Sequence, residues 1–205
     1  MHRYRNTANR VTSQRQSHAK RTSSATWVKC LANMFASQGL DAPRLLCAAG
    51  IDVASLENPE ARVEVDTISR LWELAVAWSG NPTLGMEREL PARYVDFDTV
   101  GYVMMASQTL KAGLTNLARY YAVISDAITL EFEPQGEHCW LVLGHIGNNR
   151  PLPRQRLEYS LLTVASLCQW ITRREVRAVA VVGVGMDVGK VAVKAEAKKL
   201  AGDDE

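Results

Sequence analysis

The stretch QGLDAPRLLCAAGIDVASLENPEARVEVDTISRLWELAVAWSGNPTLGM, Gln38 to Met86, decides how this chain folds. Gly39 and Gly50 each close a short helical segment, because glycine enters the left-handed conformation without a Cβ clash. Asn58-Pro59 marks a turn, and Asp66 is placed to cap the next apolar-periodic segment. Ile68, Leu71, Trp72, Ala75 and Val76 then recur at helical spacing until Ser79-Gly80-Asn81-Pro82 stops the helix. The stretch therefore reads as helices joined by tight turns, with no catalytic motif in it.

Working outward, Trp27, Cys30, Leu31, Met34 and Phe35 share one helical face that ends at Gly39. Pro43 suits the first turn of a second short helix that runs to Ala49. Thr99 to Met105 is short, apolar and compatible with helix or strand. Gln108 to Ser125 reads as a helix with Leu110, Leu114, Leu117, Ala118 and Tyr121 inward. The period then changes from helical to alternating. Ile128, Leu130 and Phe132 alternate with Thr129 and Glu131, a half-buried strand. Pro134-Gln135-Gly136-Glu137 supplies a turn, and Cys139 to Ile146 a return strand. Pro153 to Thr172 predicts a long amphipathic helix with Leu157, Leu161, Val164, Leu167, Cys168 and Ile171 buried, and Val176 to Val184 is strand-like. The expected fold class is α+β: helices packed around a small antiparallel sheet that contains the Ala127 to Ile146 hairpin.

At 205 residues and 47% hydrophobic content, the chain has the size and apolar share of one folded domain with tails. The net charge is only +2, but residues 1–26 hold six cations and no acid, so the rest nets −4. A mildly acidic body argues against a nucleic-acid footprint across it. The expected division is a disordered basic tail over 1–25, a folded domain over 26–182 and a flexible C-terminal tail over 183–205. DNA contact through the N-terminal arginines, or a transit peptide, are sharper readings of the first segment. No apolar run reaches the roughly 20 residues a membrane span needs, and no secretory apolar region opens the chain. Cys30, Cys47, Cys139 and Cys168 are dispersed, with no CxxC pair, so the expectation is reduced buried thiols and a cytoplasmic setting.

Sites of chemistry are scarce. Gly183, Gly185 and Gly189-Lys190 evoke nucleotide loops, but Val184 occupies the position where a Walker A loop needs glycine. In a dinucleotide fingerprint the third glycine here comes one residue late. His138, Cys139 and His145 lack a third convergent ligand, so no metal is expected, and the two histidines read as surface or half-buried hairpin residues. Neither a Ser/His/Asp order nor a paired acid and base emerges, so no enzyme activity and no cofactor are expected. Any pocket should lie between the helices and the hairpin, lined by rigid aromatic groups with a few polar anchors. Trp72, Arg119, Tyr120 and Trp140 are the candidate ligand-binding residues on that ground. Trp72 and Trp140 as core, and Arg119 as a solvated helix residue, is the competing structural reading.

The motifs also stand in a telling order. GLD-x3-LL-x-AAGID-x3-L-x-NP-x-AR precedes a helix with LWELA and SGNPTLGM. FDTVGYVMMASQTLKAGLTNLARYYAVISDAITL follows, and after the hairpin comes PLPRQRLEYSLLTVASLCQWIT. From about Thr26 to Val176 this set resembles the arabinose-binding-like N-terminal domain of AraC-type bacterial transcriptional regulators. The resemblance implies a bacterial, cytoplasmic regulator whose N-terminal part senses a small-molecule effector and supports homodimerisation, with the Pro153 to Thr172 helix a candidate dimer face fringed by Arg154, Arg156 and Glu158. In such regulators two helix-turn-helix units follow and read a promoter. After Arg174 this sequence departs from that pattern. Its last ~30 residues fall short of the roughly 100 that such a module needs, so a chain truncated before its DNA reader, with no DNA binding of its own, is expected. The Val/Ala/Gly/Lys-rich ending suggests a frameshift or deliberate truncation near Arg174 to Val182. Besides effector sensing, the sequence is compatible with an interaction-only subunit that forms mixed dimers with full-length regulators and inhibits them.

Overall fold

The computed structural model describes residues 20–86, 94–135, 138–146, 150–172, 177–183 and 188–194. Six helices and six strands are built from them, and the strands form two antiparallel sheets. Strand β1 (Thr22–Ser24) leads directly into helix α1 (Ala25–Ser37). Ser24 caps α1 by accepting a hydrogen bond from the Trp27 amide, which satisfies one of the helix's unpaired N–H groups. Order therefore starts before Thr26. Thr22 to Ser24 pair with β2 (Arg62–Glu64), and that pairing draws part of the expected basic tail into the domain.

Helix α2 (Ala42–Ala49) is capped by Asp41, carries proline in its first turn and closes on Gly50 at φ 89°. Ala42, Leu45, Leu46 and Ala49 form its buried face. Cys47, expected inside, falls on the opposite side and is exposed, whereas Cys30 and Cys168 are buried. Helix α3 (Val65–Ser79) begins one residue before Asp66, after Glu64, so Asp66 is a first-turn acid rather than the cap. That position still favours a carboxylate, since the N-terminal end of a helix carries partial positive charge. Gly80, at φ 63°, ends α3 and donates its amide to the Val76 carbonyl.

Helix α4 (Asp98–Met105) resolves the ambiguous apolar segment as helix, and α5 (Leu110–Ile124) follows with Thr109 as its cap. The C-terminal end of α5 is tied to β1 and β2. Arg62 donates from Nη1 to the Val123 carbonyl at 2.9 Å and from Nε to the Thr22 hydroxyl at 2.7 Å. A cation there complements the exposed carbonyls of the helix end. Asp126 accepts the Thr22 amide at 2.7 Å, and the Ser23 and Ser125 hydroxyls meet at 2.8 Å.

Strands β3 (Ile128–Gln135) and β4 (His138–His145) form the expected hairpin, with a tighter connection than the sequence suggested. Pro134 and Gln135 pair within the ladder opposite Cys139 and His138. Helix α6 (Arg154–Thr172) then crosses to β5 (Arg177–Gly183) and β6 (Val188–Lys194). The sheet order is β3-β4-β6-β5. The segment expected to be a flexible tail thus supplies β6, which lies between β4 and β5 and pairs with both. Val188, Val191 and Val193 suit that place, because β-branched side chains pack well on a pleated surface.

The core is organised by a chain of aromatic contacts. Phe35 meets Trp72 edge-on at 4.9 Å between ring centroids, Trp72 meets Tyr159 at 5.4 Å, and Tyr159 meets Trp27 at 6.1 Å. Trp27 in turn meets Phe97 at 5.4 Å, so α1, α3, α6 and the turn before α4 share one interior. Buried Tyr159, Ser160, Leu161, Thr163, Val164, Leu167 and Cys168 leave α6 little free surface. This helix is a central packing element, and its expected role as a dimer face is not supported by its burial.

At its start α6 also presses against the turn Leu84–Met86. A Cβ built on Gly85 would overlap the backbone carbonyl of Gln155 and stand 2.9 Å from its Cα. Backbone cannot swing aside as a side-chain tip can. Gly85→Ala is therefore expected to cost about 1–3 kcal/mol, as overpacking does. A urea-unfolding midpoint unchanged from the parent chain would show that the turn and α6 do not meet this closely.

Candidate functional site

Along α6, positions 156, 160, 163, 164 and 167 form the inward stripe. All but the first hold apolar or small hydroxyl residues, while Arg156 places a guanidinium in the interior with only 4% of its surface exposed. Its Nη1 donates to the Val65 carbonyl at 3.1 Å and to the Ser69 hydroxyl at 3.0 Å. Both acceptors belong to the first turns of α3, and both are neutral. Ion pairs form at Lys20–Glu64, Lys29–Glu57, Arg150–Glu73 and Arg154–Glu158, and Arg156 takes part in none of them. Burial lowers its pKa to about 10, against the opposing influence of Tyr121 and Asp66. The group stays charged at neutral pH, so the interior holds a cation without a carboxylate in ion-pair contact.

His145, at the end of β4, is the second member. It is 7% exposed, and neither ring nitrogen has a hydrogen-bond partner. Burial first, and then the charge of Arg156, bring its pKa down to about 3. The ring is a neutral imidazole at physiological pH, with one donor and one acceptor unused. Such a ring is a poor proton acceptor for catalysis. Tyr121 on α5 completes the group: burial pushes its phenol pKa up, opposed by the nearby Arg156. One permanent cation, a neutral imidazole, a neutral phenol and the Ser69 hydroxyl thus converge from α6, β4, α5 and α3. This set can receive an anionic or strongly polar group.

The residues singled out in the sequence take other places. Trp72 is wholly buried between Phe35 and Tyr159 as a packing residue of α3, one turn beyond Ser69. Arg119 and Tyr120 lie on the outer side of α5, where the guanidinium stacks over the phenol ring at 5.5 Å. The buried stripe of α5 runs through Leu117, Tyr121 and Ile124, so the inward tyrosine is Tyr121 rather than its neighbour. Trp140 pairs through its backbone with Glu133 and Ala192, and its side chain lies outside the described residues. These four are not gathered into one site. The side chains of His138 and Cys139 are likewise outside the described residues, and His145 is buried where a surface or half-buried place was expected. Among the described residues no three His, Cys, Asp or Glu side chains group to hold a metal ion, and no helix is long and apolar enough to cross a membrane.

The sequence profile of the arabinose-binding domain of AraC transcription regulator, N-terminal, matches residues 39–183. The chain belongs to this family. The match spans α2 to β5 and so includes every residue of the buried polar group. No curated protein sequence matches this AraC-type domain. Among solved structures it is similar to an H-NOX domain described as oxygen-binding and related to soluble guanylate cyclases. That likeness has a TM-score of 0.55 at 14% identity and covers 88% of this chain and 96% of the other. A doubly substituted H-NOX protein gives a TM-score of 0.57 at 16% identity, covering 82% and 90%. A third structure, from work on heme redox potential and porphyrin distortion, gives 0.55 at 15%, covering 83% and 97%. At such identities the likeness is one of fold.

The burial of His145 has a consequence for stability. Its folded pKa of about 3 lies below the ordinary value of 6.5, so the unfolded chain binds the proton more readily. The contribution of the neutral ring is complete above pH 6.5 and is lost as pH falls from there toward 3. Between roughly pH 6 and pH 4.5 the chain is expected to lose up to about 1.4 kcal/mol per pH unit through this group. His145→Leu should flatten that part of the profile in urea unfolding. Parallel profiles for the two proteins would place His145 in solvent.

Proposed function

We propose that this chain is the effector-sensing domain of an AraC-type regulator, that it receives a small molecule at the Arg156–His145 group, and that it pairs with a second copy. The family match over residues 39–183 carries the reading. The buried polar group supports the sensing part, since specific pockets are mostly apolar with a few convergent polar anchors. Outward apolar residues support the pairing part. Tyr102 on α4 is 58% exposed, Val123 on α5 50% and Trp170 near the end of α6 49%. Pairing with full-length regulators, and inhibition through such mixed dimers, is a second reading that the same outward residues favour.

The H-NOX likeness adds no heme to this reading. The space among α1, α3 and α6 is filled by rings in mutual contact, and His145, the histidine whose side chain is described, faces the charge of Arg156.

A ligand acts on such a domain only by binding one conformation better than another. Screening neutral sugars, amino acids and organic acids by thermal shift should yield a compound that raises the melting temperature in a concentration-dependent way. A screen without any stabilising compound would count against sensing. By light scattering the chain is expected at twice its 22.7 kDa, with Val123→Ser and Tyr102→Ser moving it toward a monomer. A strict monomer, alone and mixed with a full-length relative, would remove both forms of pairing.

A further inference from the structure

Resting on the sensing reading, we propose that the buried group of Arg156, His145, Ser69 and Tyr121 binds the carboxylate of an organic monoacid whose apolar body lies among the neighbouring core side chains. The first ground is the incomplete coordination of Arg156. Its hydrogen bonds to the Val65 carbonyl and Ser69 hydroxyl both leave from Nη1, and both partners are neutral. A guanidinium offers five donors in a planar fork that matches a carboxylate edge, so the arrangement favours an anion over a second neutral dipole.

The second ground is independent. The two ring nitrogens of His145 are buried without a partner, although buried polar atoms nearly always have one. An imidazole in its neutral form donates one hydrogen bond, which a carboxylate beside Arg156 would accept. The His145 ring and the Arg156 guanidinium are close enough for the charge of one to alter the titration of the other.

The surroundings narrow the class. One turn from Ser69 stands Trp72, one turn from Arg156 stands Tyr159, and Leu117 and Ile124 flank Tyr121; all four are buried. Apolar walls repay the burial of a hydrocarbon or aromatic body but not that of a multiply charged, strongly hydrated anion. A single carboxylate also matches a single buried cation and leaves the interior without net charge.

The test uses the full chain and paired probes of nearly equal shape: benzoate against benzamide, and butyrate, hexanoate and octanoate each against its primary amide. Binding is read by calorimetry and by thermal shift. At least one acid should bind roughly tenfold or more tightly than its amide, the margin expected when a charge-assisted hydrogen bond is replaced by a neutral one. Arg156→Met should abolish that preference, while Arg156→Lys should restore part of it, and His145→Phe should weaken the acid without affecting the amide. Replacing a buried charge by an apolar chain of similar volume is often tolerated, and circular dichroism with urea unfolding verifies that each variant folds. Acids and amides binding alike, or an acid preference that survives Arg156→Met, would overturn the proposal. If only neutral sugars bind, the monoacid assignment fails and sensing stands. If nothing binds at all, ordered water fills the group and both fail together.

Discussion

The seating of Tyr159 against Trp72 and Trp27 is the contact on which the interior depends, because it fixes the rotation of α6 about its own axis. A helix cannot bury position 159 without turning position 156 to nearly the same side, since residues three apart are surface neighbours. Burying the tyrosine therefore carries the guanidinium of Arg156 inward. Its long stem can lie along apolar surface, but its head must find acceptors, and the first turns of α3 offer them in the Val65 carbonyl and Ser69 hydroxyl. The same turn that presents Ser69 leads on to Trp72, so the packing contact and the polar contact hold the same pair of helices together.

Much of the architecture was legible in the chain because it follows from local rules. Gly50 and Gly80 end helices in the left-handed conformation, Asp41 and Thr109 cap them, and the change of period at Ala127 announces the hairpin. The missed parts depend on distant partners. Thr22 to Ser24 look like the end of a polar tail until Arg62 to Glu64 pair with them. Val188 to Lys194 look like low complexity until β4 offers an unpaired edge. Cys47 sits in an apolar context, but eight residues of helix bury only one stripe, and it falls outside that stripe.

The candidate site was less legible for a related reason. A search for large rigid surfaces finds Trp72, which the core consumes, and a search for a cation beside an aromatic finds Arg119 and Tyr120, which solvent takes. The usable signal was phase. Arg156 shares the helical phase of Ser160, Val164 and Leu167, and an arginine on an apolar stripe must either distort the helix or meet partners inside. His145 ends the inward-facing row of β4 that also buries Leu143, so alternation marks it as an interior imidazole. Assigning each polar residue to the inner or outer phase of its own element selects these two from the amino-acid pattern alone.

The choice of partners for Arg156 separates a structural buried arginine from one that can receive a ligand. A purely structural one is usually neutralised by a carboxylate, which satisfies both its charge and its fork and leaves nothing to gain. Here the nearest intramolecular acceptors carry no charge, and Asp66 acts on the guanidinium electrostatically from outside ion-pair contact. An anion entering beside His145 gains the full attraction of a cation in a medium of low dielectric, and the cation has already lost most of its water on folding. Because the acceptors lie on α3, the cation on α6, the imidazole on β4 and the phenol on α5, a bound anion would draw on four elements at once. Any conformation that parts α3 from α6 would bind it more weakly, and that difference in affinity is the physical quantity a sensing domain needs.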